Sequence, residues 1–204
     1  MGNKTIKIGM ILECGPQGAD VKVCEKFARQ LHSENIKIIT RTLDDKPNLI
    51  NDCGKVASLL LKEGCDRVLI IWDLYPSWRE NKVKPCRKED CDAIQESLEN
   101  AGVKSTNVYL ICIEAELEEW FLHDTYALSS VLSTPPHPVN IRKKLNGGTN
   151  PKAVLIKTFK EHTGRLYNDL YHAEKIANAI SDLNKLKKCP SFVRFALKVA
   201  DKRL

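Results

Sequence analysis

The chain has 204 residues, 43% hydrophobic and 28% charged, a composition suited to one folded domain with a full core or a domain plus a small appendage. No run approaches the roughly 18 apolar residues that span a bilayer, and "MGNKTIKIGMILE" has neither a signal-peptide pattern nor a hydroxyl at position six for myristoylation. A soluble, cytoplasmic protein is expected. The net charge of +6 is uneven: residues 141–204 hold 15 Lys and Arg against 5 Asp and Glu, so the remainder leans acidic.

"TIKIGMILE" alternates apolar residues as a strand does, and the turn "CGPQG" leads into a helix in which Asp20 is placed to cap. "IKIIT" is a second strand, and "NLINDCGKVASLLLKEG" an amphipathic helix stopped by Gly64. "RVLIIWD" is near-continuously apolar, as in a parallel strand covered on both faces. A long connection from Leu74 to Lys88 follows, then a helix in "EDCDAIQESLENAGV" and a fourth strand in "NVYLICIE". From "EAELEEWFLHDTYALSSVL" onward the pattern is helical, interrupted at "TPPHP" and "NGGTNP". Alternating strands and helices predict an α/β fold with a parallel sheet of about four strands. The expected division is an α/β domain over 1–125 and a basic helical extension over 126–204 packed on it.

Eight cysteines are scattered without a CxxC pair, and several lie inside apolar runs, where a thiol behaves as a small hydrophobe. Cys86 and Cys91 lack the partners that a zinc site needs. Reduced thiols are expected, and disulfides are not.

In open parallel sheets ligands gather beyond the carboxyl ends of the strands. Three predicted strands deliver acid there: Glu13 closes the first, Asp73 the third, and Glu114 the fourth, with Glu116, Glu118 and Glu119 behind it. Converging carboxylates repel, and a hard divalent cation offsets that repulsion; Mg²⁺ is the common choice beside phosphate oxygens. The plainer alternative is that these acids are solvated, or that Glu13 caps the following helix.

The segments "MILECGPQGAD", "VLIIWD", "ELEEWFLHD", "GRLYNDLYHAEKIANAI" and "KKCPSFVRF" together resemble the Toprim-like DUF4276 family of prokaryotic proteins, over almost the whole chain. The order of a strand-end glutamate, a glycine-containing loop, a helix and a strand ending in aspartate is similar to the Toprim domain of topoisomerases, primases and related nucleases. The resemblance implies a Toprim-like fold whose carboxylates bind Mg²⁺, or Mn²⁺, for phosphodiester chemistry. By that likeness Glu13 is the acid/base glutamate and a metal ligand, and Asp73 the first aspartate of a DxD pair. Tyr75 stands where the second aspartate belongs. Glu118 is the first substitute ligand and Glu114 the second.

Aromatic residues and Arg79 flank Asp73 in "WDLYPSWREN", where bases of a single strand can stack; Trp72 is read as packing instead, and Trp120 as core. Arg165 and His172 in "GRLYNDLYH" are candidate phosphate contacts, although a lone helical histidine more often makes a structural hydrogen bond. Pro190 suits a first helical turn, Ser191 a cap, and Phe192 and Phe195 core anchors. Lys187, Lys188 and Arg194 would then face outward as a phosphate track.

Two functions are weighed. One is a Mg²⁺-dependent nuclease acting on DNA or RNA, within a defence or mobile-element system. The other is a non-catalytic binding or regulatory module working through its basic helices with nucleic acid or a protein partner. A nucleotide-binding enzyme using "ECGPQG" as a phosphate loop lacks the Walker lysine.

Overall fold

The computed structural model describes residues 5–32, 36–77, 84–104 and 106–200. Four strands, β1 (Ile6–Leu12), β2 (Ile36–Thr42), β3 (Arg67–Asp73) and β4 (Val108–Ile113), form one parallel sheet in the order β2-β1-β3-β4. Leu12 of β1 pairs with Ile71 of β3 and with Thr42 of β2, and Asp73 of β3 pairs with Ile113 of β4. The strands therefore end together along one edge.

Side-chain alternation gives the central strands β1 and β3 two buried faces, whereas the edge strand β2 buries only Ile36 fully. Met10, Leu12, Leu69, Ile71, Ile111 and Ile113 face one core, shared with α1 (Ala19–Leu31). Ile11, Val68, Ile70, Trp72 and Cys112 face the other, under α2 (Lys46–Lys62) and α3 (Arg87–Asn100). Helices α2 and α3 approach closely at Gly54, where an added Cβ would lie 2.0 Å from the Ser97 carbonyl oxygen.

After β4 come α4 (Glu118–Phe121), α5 (Thr125–Leu132), α6 (Pro151–Thr163), α7 (Asp169–Ala179), a 3₁₀ helix (Leu183–Lys188) and α8 (Pro190–Ala200). Their apolar residues join the first core, so the region after Thr125 shares its interior with the sheet. The continuous helical pattern of "EAELEEWFLHDTYALSSVL" is broken by Asp124. Its buried carboxylate accepts from the Tyr126 and Ala127 N–H groups, capping α5, and pairs with Lys185 at 3.0 Å. Trp120 is core, 5.2 Å from both Phe192 and Phe195 ring to ring. Ser191 does not cap α8: it is buried one residue inside the helix, where its hydroxyl accepts from the Trp120 indole. Trp72 packs under the sheet and donates to Asp90. All eight cysteines are free thiols. Among the described residues no helix is long and apolar enough to cross a membrane.

Candidate metal centre

Neighbouring strands β1 and β3 bring Glu13 and Asp73 side by side at the carboxyl edge. Glu13 Oε1 accepts the Asp73 backbone N–H at 3.1 Å, while Glu13 Oε2 is buried without a hydrogen-bond partner. The turn after β1, closed by the Gly18 N–H to the Gly15 carbonyl, swings the first turn of α1 back over this edge. Asp20 lies in that turn and is not the cap; Gly18 holds the cap position with no side-chain bond. The chain after β4 adds Glu116 and Glu118. Glu118 is buried and accepts from the Tyr167 hydroxyl at 3.3 Å.

Two lysines border the acids. Lys46 is only 5% exposed and donates to the Leu74 and Pro76 carbonyls at 2.7 and 2.6 Å, with Asp90 at 3.8 Å. Lys152 pairs with Asp169 at 2.6 Å, and its backbone N–H, near the start of α6, donates to Glu116. Each lysine lowers part of the acid cluster's self-repulsion, and neither removes it.

Burial penalises ionised carboxylates and dominates here. It raises Glu13 to about 8, against the opposing pull of Lys46 and the Asp73 N–H. It raises Asp73 well above its ordinary value, with Asp20, Glu13, Glu118 and Glu116 adding repulsion in that order. Asp20 is raised to about 6, first by burial and then by Asp169, and Glu118 to about 7, chiefly by burial. The Tyr167 hydroxyl is held firmly protonated by burial and by Glu118, so it remains a donor. The cluster thus carries more acid than it can ionise alone.

Of the residues expected at the metal, Glu13 and Asp73 meet directly, and Glu118 reaches Asp73 through its charge alone. Glu114 is ion-paired through one oxygen: Arg194 donates to its Oε1 and to the Cys112 carbonyl, and Arg87 lies at 3.7 Å, while Glu114 Oε2 is buried without a hydrogen-bond partner. Arg194 accordingly folds back onto the end of β4 and does not project outward. Lys187, Lys188 and Arg165 are exposed. His172 is half-buried beside Phe159, Tyr167 and Tyr171, and its Nδ1 accepts the Asn168 N–H at 2.8 Å, a structural bond at the start of α7. Arg79 and Trp78 lie outside the described residues.

Asp20, Lys46, Lys152 and Asp169 carry no motif that singles them out. A signal existed for one of them: Asp20 sits in the first turn after a loop leaving a strand edge, where a charge faces any ligand bound there. Glu13, Asp20, Asp73 and Glu118 offer carboxylate oxygens, the class that Mg²⁺ or Mn²⁺ takes, but no three of them set ligand atoms within 4.8 Å of one another; the unpartnered Glu13 Oε2 is an acceptor that a cation would satisfy.

Fold and site together define an α/β protein with a parallel sheet and a buried acidic cluster at its carboxyl edge. The chain belongs to the family described as a domain of unknown function (DUF4276), whose model matches residues 20–200. Asp20, Asp73 and Glu118 fall inside that span, and Glu13 precedes it. No curated protein and no solved structure matches the chain.

Proposed function

We propose that the protein is a Mg²⁺- or Mn²⁺-dependent phosphodiesterase acting on nucleic acid, with Glu13, Asp73 and Glu118 as the central ligands. The observation that carries this reading is the meeting of Glu13 and Asp73 in a buried, acid-rich setting with Glu13 Oε2 left without a partner. Asp20 supplies the acid that Tyr75 does not. A bound ion would polarise a phosphate and lower the pKa of a coordinated water. Glu13, with its carboxyl raised to about 8 by burial, would be poised to exchange a proton near neutrality in the metal-free state. The excess of basic residues after position 140, with Arg165, Lys187 and Lys188 exposed, supports a polyanionic substrate. Incubating the full chain with single- and double-stranded DNA and RNA, with Mg²⁺, Mn²⁺ or chelator, tests the reading. Cleavage that needs the ion and disappears in Asp73→Asn supports it.

A second reading, a non-catalytic nucleic-acid-binding or regulatory module, is favoured by one observation: Glu114, at the end of β4, is already neutralised by Arg194. Metal-independent binding without cleavage would place that reading first.

A further inference from the structure

A second ligand cluster lies away from the sheet-edge acids. Glu119, His123 and Cys189 each present a ligand atom within 4.8 Å of the other two. Glu119 and His123 stand four residues apart on the turn that prolongs α4, held by the Leu122 N–H to Glu119 and the His123 N–H to Trp120 carbonyl bonds. Cys189 occupies the step between the 3₁₀ helix and α8, fixed by its N–H to the Leu186 carbonyl and by the Val193 N–H to its own carbonyl. Trp120, packed on Phe192 and Phe195, ties these two segments together. Cys189 is fully buried and the other two are half-buried.

An independent observation points into the cluster. Glu119 Oε2 is buried without a hydrogen-bond partner, an expensive state for a carboxylate oxygen unless something else meets it, and the Cys189 thiol is the polar group that acts on this carboxylate. Outside the cluster the Cys189 sulfur has the Ser191 hydroxyl at 3.2 Å and the Ser191 and Phe192 backbone N–H groups as polar neighbours.

We propose that Glu119, His123 and Cys189 form a zinc-class metal site, with one coordination position left for water or an anionic ligand. Thiolate, imidazole and carboxylate together match the ligands zinc takes, whereas Mg²⁺ avoids sulfur. Bonds of about 2.0–2.3 Å in tetrahedral geometry set ligand atoms roughly 3.3–3.8 Å apart. The ligand atoms, within 4.8 Å of one another, are therefore about an ångström wider apart than a bound ion would hold them. The two anionic ligands cancel the charge of a divalent ion, which makes it tolerable beside Lys144 and Lys188. His123 also lines a solvent-open groove with Arg142, Lys144, Lys185 and Lys188. The cationic wall of that groove would draw an anion toward the open position.

The full chain, stripped with chelator and titrated with Co²⁺, provides the test. One equivalent should bind with a thiolate-to-cobalt charge-transfer band in the near ultraviolet, and Zn²⁺ should displace it. Cys189→Ser should abolish the band, and His123→Gln or Glu119→Gln should weaken Co²⁺ binding roughly tenfold or more, at least the loss seen when a supporting residue is removed. Cys14→Ser, in the loop between β1 and α1, and Asp73→Asn, which alters the sheet-edge site, should leave the band intact. The site is refuted by the absence of a thiolate band, or by a band that survives in Cys189→Ser or vanishes in Cys14→Ser or Asp73→Asn. Should Cys189→Ser not fold by circular dichroism, unchanged affinity in both His123→Gln and Glu119→Gln refutes it equally.

Discussion

Glu13 and Asp73 are joined by a hydrogen bond across the ends of the parallel β1–β3 pair: the Asp73 backbone N–H donates to the Glu13 carboxylate at 3.1 Å. The bond fixes one oxygen of Glu13 and leaves the other buried and unsatisfied. It also keeps two acids close that burial and mutual repulsion make hard to ionise together.

Replacing Asp73 with Asn removes one of those charges and keeps the shape. The expected result is a melting temperature equal to or above wild type without metal, because repulsion falls. Wild type should gain stability from Mg²⁺ or Mn²⁺, about 2.7 kcal/mol when the free ion is a hundredfold above its dissociation constant. Asp73→Asn should gain little and should not cleave. Equal stabilisation of both proteins by the ion, measured by thermal melts, would remove Asp73 from the ligand set.

Stability of the metal-free protein should depend on pH through the same cluster. Glu13, Asp20 and Glu118 have folded values raised to about 8, 6 and 7, above those of the unfolded chain. Between about pH 4 and 8 the native state therefore holds more protons than the unfolded one, and stability falls as pH rises. The contribution is complete below the unfolded values and lost as pH passes the folded ones. Because the acids share protons, the total is smaller than the sum of the three separate shifts. His123 and His172, lowered chiefly by burial, act in the opposite sense below about pH 6.5. The comparison is therefore with Glu13→Gln, whose melting temperature should decline less between pH 5 and 8. Parallel declines in the two proteins would contradict the raised Glu13.

The basic residues should separate into two kinds. Lys187→Glu with Lys188→Glu changes exposed charge on the 3₁₀ helix, so nucleic-acid binding should weaken and its salt dependence flatten by about two phosphate contacts. Folding should be unaffected. Arg194→Glu should instead cost about 2 kcal/mol of stability, because it sets a second carboxylate against half-buried Glu114. Fluorescence anisotropy across a salt series, alongside denaturant melts, distinguishes these outcomes; an Arg194→Glu protein of wild-type stability would contradict the assigned pairing.

Gly54→Ala probes the α2–α3 contact. A methyl group 2.0 Å from the Ser97 carbonyl oxygen must push the helices apart, and the Gly54 N–H to Ser97 hydroxyl bond at 3.2 Å goes with them. A loss of roughly 2–3 kcal/mol is expected. Chemical denaturation measures it, and a change below about 0.5 kcal/mol, the range of a free surface site, would mean that the helices are not in contact.

The sequence by itself determined the four strands, their parallel arrangement and the acids at their ends. Apolar runs such as "VLIIWD" and the helices between them leave few other ways to bury both faces of a sheet. It equally determined that Trp120, Phe192 and Phe195 are interior, because their spacing follows the helical period. What each charge faces was decided only by tertiary structure. Asp20 reads locally as a cap and becomes a member of the acid cluster because the loop after β1 returns α1 over the sheet edge. Glu114 reads as a ligand and is taken by Arg194, which lies 80 residues further along the chain. Lys46, Lys152 and Asp169 meet the acids only through the packing of α2, α6 and α7. Apolar periodicity is written in neighbouring residues, whereas a charge is placed by whichever distant element packs against it, and no local pattern records that choice.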